Sequence, residues 1–515
     1  MTGPRLDAAL GQLPALLASH VLLSAAALLL ALLASLPLAI LAARRPRLRR
    51  VALGLASLVQ TIPGLALLAL FYPLLLALSA LVGGGIPALG FLPSLLALAL
   101  YAVLPILRNA VAGLTGIDPA VREAADGVGM TPGQRLRLVE LPLAAPVMMA
   151  GIRTAAVWTI GAATLATTVG QPSLGNLIFA GLQTESWVLV LTGCVAAAAL
   201  ALAVDALLGL VERAIGARRG WRAAWPLGIV ALGVAAALAF VMAPMLVPAR
   251  PVATIGAKNF SEQYILARLI GARLEKAGYE VRYREGLGSA VAFRALAGGD
   301  IDAYVDYSGT LWSSLMGRAD APPRSDMIAG IAAWMKAGPK TAILGPLGFE
   351  NAYALAMKAD AARRAGIASI ADLARAAPGM TLGADLEFTD RPEWRRVRDA
   401  YGLRFAAIRA YSPTFMYRAL ESGQADVISA FSSDGRIAAD RLVVLSDPAH
   451  ALPPYDALLL LSPRRAGDAR FRAVLAPLVG AIPVEAMREA NYLVDRDAGK
   501  QTPEAAARFL SGKLR

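Results

Sequence analysis

Residues 8–43 carry no Asp, Glu, Lys or Arg, and the run stops at Arg44, Arg45, Arg47, Arg49 and Arg50. About 20 apolar residues cross the hydrocarbon core of a bilayer, so this segment predicts a membrane helix. A cleaved export signal places its positive charges before the apolar run and small residues after it; here the basic block follows, which predicts a retained span. Residues 51–107 are again uncharged, long enough for two helices, and the Gly- and Pro-containing stretch 83–93 divides them. Residues 141–169, 187–210 and 225–247 read as spans four, five and six.

The whole composition agrees: 57% of the 515 residues are hydrophobic and 17% charged, where an ordinary soluble chain carries about a quarter charged residues. A wholly soluble or disordered chain is excluded. Cys194 is the single cysteine, so no disulfide forms within the chain, and with only His20 and His450 beside it no metal site is expected. The net charge of +13 does not point to nucleic acid, because the arginines stand at the ends of apolar runs, as the positive-inside rule requires. Arg44–Arg50, then Arg108, Arg122, Arg135 and Arg137, then Arg213, Arg218, Arg219 and Arg222 mark three inside loops; 81–92 and 170–186 hold only Glu185 and belong outside. Six spans then leave both termini outside, and everything after about Pro248 is exported.

The second inside loop contains Glu123-Ala124-Ala125, Gly129, Val139, Leu141 and Pro142. This is the spacing EAA-x3-G-x9-I-x-LP with Val139 for Ile. The alanines favour a short helix with a small-residue face, Gly129 permits a sharp turn, and Pro142 is expected to open the next span, where its missing N–H costs nothing. After 252 the texture changes. Short β-type runs at 252–255, 280–283, 342–344, 426–428 and 458–461 alternate with helical patterns at 262–277, 290–297 and around 418–422, which predicts an α/β domain large enough for two lobes around a ligand cleft.

Residues 14–213 resemble the permease subunit of an ATP-binding-cassette (ABC) importer of type I, in which the EAA loop docks on the ATPase. Gln60-Thr61-Ile62-Pro63, the run YAVLPILRN at 101–109 and VELPLAAPVMMAGIRT at 139–154 resemble the osmoprotectant branch. The stretch 170–175 departs from the Gly-rich run of many relatives. Residues 250–515 resemble the substrate-binding proteins of the same importers through Ile255 to Gln263, Val305 to Thr310, Asn351-Ala352-Tyr353-Ala354, Arg391-Pro392-Glu393-Trp394, Phe431 to Gly435 and Pro453-Pro454-Tyr455-Asp456. The resemblance implies an all-α polytopic membrane domain at 14–213, a linker with the sixth span at 214–249, and an extracytoplasmic α/β type II periplasmic-binding domain at 250–515. One lobe would comprise about 252–350 and 452–515, the other about 351–451.

Ligands of that family are quaternary ammonium compounds, which donate no hydrogen bond from the cation and are held by aromatic faces. The resemblance assigns Tyr307, Tyr353 and Tyr455 to such a cage, with Phe431 where many relatives have a fourth tyrosine. It places Arg391 on a ligand carboxylate, with a surface ion pair to Asp390 or Glu393 as the competing reading. It makes Thr310 and Asn351 specificity positions, and leaves Gln263 and Ser261 as ligand contacts or helix caps. Glu123, Ala124, Ala125, Gly129, Leu141 and Pro142 would couple to the ATPase. No phosphate-binding loop is present, since neither 499–501 nor 512–514 has the Gly-x4-Gly-Lys-Ser/Thr spacing. The chain is therefore expected to be no enzyme and to bind no cofactor, with ATP–Mg on a separate ATPase present in two copies and a second copy of this chain completing the permease.

The cargo stays open between glycine betaine, carnitine, choline and another betaine-like solute such as ergothioneine. A membrane-anchored chemoreceptor would need a cytoplasmic signalling module, and an ion-coupled transporter would need acids within its spans, where Asp205 alone stands.

Overall fold

The computed structural model describes residues 3–82, 86–183, 186–217, 223–243, 250–318, 320, 322–385, 388–411, 413–496 and 499–514. Gly83, Glu185, Arg218, Arg219, Arg222 and Pro248, all used above, lie outside the described residues. The chain divides into two compact units, one mainly 6–179 with 188–248 and the other mainly 249–515.

The first unit is helical: α1 (Gly3–Arg44), α2 (Pro46–Thr61), α3 (Gly64–Leu81), α4 (Phe91–Thr115), α5 (Pro119–Gly127), α6 (Pro132–Arg135), α7 (Leu141–Ala162), α8 (Gly175–Gln183), α9 (Trp187–Gly216) and α10 (Ala224–Met242). Among the described residues five helical stretches are long and apolar enough to cross a membrane, and a sixth is present if α2 and α3 count as one bent span. Leucines 227, 232 and 238 and Phe240 lie exposed along α10, as a lipid-facing surface requires. In the interior, Ala31 of α1, Ala102 and Ile106 of α4 and Ala155 of α7 form one buried cluster whose small side chains let the helices approach closely.

Two expectations need correction. The second span is not one helix: α2 and α3 meet at 102°, because Pro63 bars its predecessor from helical backbone and Ile62 is accordingly extended (φ −76°, ψ 126°). Pro142 does stand in the first turn of α7, but the helical path does not begin there. The helical path runs unbroken from Pro132 to Val169, passing through a π turn at Leu136–Glu140; that wider turn, with Leu141 N–H donating to Leu136 C=O, leads directly into the proline. Asp205, the one acid within the spans, accepts from Arg153 of α7 at 2.9 Å, while Glu212 accepts from the same guanidinium at 2.6 Å. That clamp joins α7 to α9 and leaves Asp205 no free ion-carrying role.

The second unit holds two five-stranded sheets. One runs β2-β1-β3-β10-β4 and the other β7-β6-β8-β5-β9, built from β1 (Val252–Lys258), β2 (Glu280–Leu287), β3 (Ala303–Tyr307), β4 (Ala342–Glu350), β5 (Tyr353–Lys358), β6 (Thr381–Asp385), β7 (Ala407–Tyr411), β8 (Val427–Phe431), β9 (Leu442–Val444) and β10 (Asp456–Leu461). The first sheet thus takes its strands from 252–350 and returns for β10 after the second is complete. Its central strands β3 and β10 are buried along their whole length, β10 through the apolar run from Ala457 to Leu461 and β3 with Asp306 buried and hydrogen-bonded within it. The helices that matter for the site are α11 (Ser261–Lys276), α12 (Ser289–Gly298), α13 (Pro392–Tyr401), α14 (Pro413–Glu421) and α15 (Val484–Asp495).

Candidate ligand cleft and coupling loop

The four aromatic residues singled out from sequence all stand at strand ends. Tyr307 ends β3, Tyr353 opens β5, Phe431 ends β8, and Tyr455 immediately precedes β10. Antiparallel register explains the grouping: Tyr353 pairs with Phe431, and Ala457, two residues after Tyr455, pairs with Tyr307. The Tyr353 ring lies 5.0 Å from Phe431 and 4.8 Å from Phe388, and meets Tyr455 edge-on at 5.7 Å and 88°. Tyr455 from one sheet and Tyr353 from the other therefore form perpendicular walls. Asn351 N–H donates to the Tyr455 carbonyl at 3.0 Å and fixes this junction. Gly309 is required beneath it, because a Cβ there would stand 2.4 Å from the Tyr455 ring.

Tyr307 joins the group through a carboxylate. Its hydroxyl donates to Glu262 Oε1 at 2.6 Å, and Asn351 Nδ2 donates to the same oxygen at 3.1 Å. Tyr455 repeats the device, donating to Glu393 Oε1 at 2.5 Å. Burial holds both phenols well above their usual range, and the adjacent carboxylates push the same way, so each hydroxyl keeps its proton and donates it. A phenol hydrogen-bonded to an anion has a more electron-rich ring, and a desolvated cation is drawn to such a face. Burial also raises the Glu262 carboxyl, opposed by hydrogen bonds from Ser433, Tyr307, Asn491 and Asn351.

Arg391 is buried, with 8% exposure, so the surface ion-pair reading does not describe it. Its Nη1 lies 3.5 Å from Thr310 Oγ1 and 3.4 Å from Ser314 Oγ, and its guanidinium carbon is 5.5 Å from the Tyr353 ring centre. Glu393, one of the two acids of that competing reading, accepts from Tyr455 and from the Ser313 hydroxyl. Gln263 and Ser261 do not cap α11, whose N-cap Phe260 makes no side-chain cap. Gln263 donates to the Tyr307 hydroxyl at 3.0 Å, and Ser261 donates to Asp495 at 2.5 Å.

Sequence reasoning missed Glu262, Glu393 and Asn491 as members of this site. Glu262 follows Ser261 and precedes Gln263 in a run that had been singled out, yet an acid in the first turn of a helix reads as a dipole partner in solvent. Only its 2% exposure reveals the difference.

In the first unit, α5 and α6 form the expected pair of short helices. Asp118 caps α5, Thr131 and Gln134 make a capping box on α6, and Gly129 turns between them with φ +79°. Ala125 is buried, whereas Glu123, Ala124 and Gly129 are exposed. Val128 and Leu138 are exposed beside them at 73% and 67%. Glu140 anchors the loop from beneath, within 3.8 Å of Arg44, 3.5 Å of Arg122 and 3.3 Å of Arg135.

Residues 252–512 match the family described as the substrate binding domain of ABC-type glycine betaine transport systems, and residues 35–217 match that of the binding-protein-dependent transport system inner membrane component. The chain is 40% identical over 194 residues to the choline transport system permease protein OpuBB of Bacillus subtilis, covering 38% of this chain and 84% of that protein. It is also 40% identical over 198 residues to the osmoprotectant import permease protein OsmW of Salmonella typhimurium, covering 38% and 89%. Over 484 residues it is 26% identical to the ergothioneine transport permease/ergothioneine binding protein EgtU of Helicobacter pylori, covering 90% of this chain and 84% of that one.

Proposed function

Since this chain belongs to the ABC-type osmoprotectant importers, as a multi-pass inner-membrane permease fused to its own substrate-binding domain, we propose that the cleft captures a quaternary ammonium solute of the glycine betaine, carnitine or choline type and delivers it to the fused permease. The observation that carries the ligand class is the set of aromatic walls whose phenols donate to buried carboxylates: Tyr307 on Glu262, and Tyr455 on Glu393. A quaternary ammonium ion needs a surface that is apolar toward its methyl groups and negative toward its charge, and rings backed by carboxylates supply both. Arg391, at one side of Tyr353, is placed to clasp a ligand carboxylate with two parallel hydrogen bonds. Thr310 and Asn351 border the cage as neutral selectors, and Gln263 orients the Tyr307 hydroxyl.

Coupling runs through the loop. The exposed face of Glu123, Ala124, Val128 and Gly129, with Leu141 and Pro142 at the root of the following span, docks on a separate ATPase that binds ATP–Mg. Two copies of this chain and two ATPase subunits make the working importer, oriented with the loop inside and 250–515 outside. Tethering keeps the receptor at high local concentration beside its own pore. Ergothioneine is the second reading, favoured by the relative that shares this fused order over 90% of the chain.

The test is one pair of variants in proteoliposomes containing the full-length chain and its ATPase. Tyr455→Ala should weaken ligand binding by about 100-fold, as loss of a desolvated cation–π wall together with its buried area predicts. Glu123→Arg should abolish uptake and leave ligand affinity unchanged. Retained affinity in the first variant removes the cage, and retained uptake in the second removes the coupling assignment.

A further inference from the structure

We propose that the break between α2 and α3 lines the translocation pathway at mid-membrane, facing a second copy of the chain, and that its uncapped carbonyls meet the cation of the cargo in transit. The inference rests on the proposed function for the two copies and the quaternary ammonium cargo, and on the broken span itself for the place.

The break is deep. Tyr101 is the eleventh residue of α4 (Phe91–Thr115), about 15 Å from the outer end of a helix about 37 Å long at roughly 1.5 Å per residue. Gln60 Nε2 donates to the Tyr101 carbonyl at 3.2 Å, and the Tyr101 hydroxyl donates to the Ile62 carbonyl. Residues 60–62 are thereby held near the middle of the span.

The break also leaves backbone groups open. Ile62 N–H returns to the Val59 carbonyl at 3.2 Å, and the Thr61 hydroxyl donates to the Leu58 carbonyl at 2.7 Å. Leu67 N–H, donating to the Pro63 carbonyl at 3.0 Å, is the first amide of α3 to find an acceptor. Among the described residues no backbone amide donates to the carbonyls of Gln60 and Thr61, and none of the amides of Gly64, Leu65 and Ala66 reaches a backbone carbonyl. Thr61 and Pro63 are exposed, as are Leu58 and Leu65 on either side, at 61% and 51%. Such a segment cannot face lipid: at membrane depth, open backbone is tolerated only where protein covers it or where it borders water. Packing on α4 and on the turn at 163–169 covers the other side of the bent pair. A second copy related by a two-fold axis presents the same open face, and two such faces enclose a watery passage.

The chemistry suits the cargo. Helix α2 points its partially negative C-terminal end at the break. The acids of α9, Asp205 and Glu212, are held by Arg153, so a cation at this depth is met by carbonyl dipoles, as where spanning helices are interrupted near the midplane. Carbonyl oxygens attract a quaternary ammonium without needing a hydrogen bond from it, and the flanking leucines accept its methyl groups.

Cysteine accessibility tests this in proteoliposomes holding the full-length chain and its ATPase, because Cys194 is the single cysteine and Cys194→Ala gives a thiol-free parent. The probe is a membrane-impermeant thiosulfonate that carries a quaternary ammonium. During uptake, the thiol of Thr61→Cys should react about tenfold or more faster than that of Leu232→Cys on the lipid-facing side of α10. Glycine betaine should slow that reaction, and a short bifunctional thiosulfonate should join two copies. Leu65→Cys repeats the readout should Thr61→Cys fail to fold. Thiols at positions 61 and 65 that are as inert as the one at 232, or that react without joining copies, overturn the inference and leave the cargo reading standing. A parent that transports none of glycine betaine, carnitine and choline overturns the cargo reading and the cargo contact with it. Pro63→Ala isolates the carbonyls: it lets the amides of Gly64 and Leu65 reach them, so uptake should fall about tenfold with ligand affinity unchanged. Unchanged uptake in that variant refutes their role.

Discussion

Glu140, in the loop between α4 and α7, and Glu262, at the start of α11, are both more than nine-tenths buried, and their surroundings are opposite in kind. Around Glu140 stand the guanidinium groups of Arg44, Arg122 and Arg135. Around Glu262 stand a phenol, two amides and a serine hydroxyl. Formal positive charges cancel a carboxylate, whereas dipoles only solvate it. The loop acid is therefore consumed in holding its own structure together, while the cleft acid keeps a negative potential that a cation can use. The same residue type serves as a structural tie in one unit and as a recognition element in the other.

Paired neutralisation is the most direct way to break that comparison. Glu262→Gln removes the negative charge behind Tyr307, and affinity for a quaternary ammonium ligand should fall about tenfold or more in titration. Glu140→Gln leaves three arginines facing a neutral amide; it should lower the thermal midpoint and impair uptake, with ligand affinity within twofold of the parent. Exchange of these two outcomes would mean that the loop acid acts on the ligand and the cleft acid only on the fold.

Legibility in the sequence divides along the same line. The spans and the EAA loop were readable because uncharged length, arginine position and motif spacing are local properties. The bend at Pro63 and the π turn before Pro142 were not read, although the prolines stood in view, because periodicity alone does not say how a helix accommodates a proline. In the second unit β3, β5, β6, β7 and β9 went unpredicted. β3 and β6 each contain an acid, Asp306 and Asp385, that breaks the apolar texture; both are buried and hydrogen-bonded in the fold. The aromatic residues were found through resemblance, whereas Glu262, Glu393 and Asn491 needed tertiary burial to be distinguished from surface polar residues.

Asp495 sharpens the contrast by pH. Burial, with the charge of Asp434 next in importance, pushes its carboxyl up to about 7, against weaker opposing contributions from Arg436, Ser261 and Lys500. The folded chain then holds a proton between the usual carboxylate range and about pH 7, where the unfolded chain does not. Its contribution to stability is fully present below that range and is lost as pH rises through about 7. The thermal midpoint of the binding unit in the full-length chain should accordingly fall from pH 5 to pH 8, and Asp495→Asn should flatten that slope. A flat parent profile would remove Asp495 as a protonated member of the cleft.

Phe431→Tyr is the smallest expected change and addresses the cleft most finely. Phe431 faces Tyr353 at 5.0 Å and lines the same cavity as Asn351 and Asn491. A phenol at this position has a somewhat more electron-rich ring, which favours any quaternary ammonium by a few-fold at most. Glycine betaine should gain about two- to threefold and ergothioneine a similar factor, both read by titration. An equal gain for both ligands would show that position 431 acts through its ring face alone, and would confine ligand discrimination to Arg391 and Thr310 at the far side of the cage; a gain for one ligand only would show that the added hydroxyl discriminates as well.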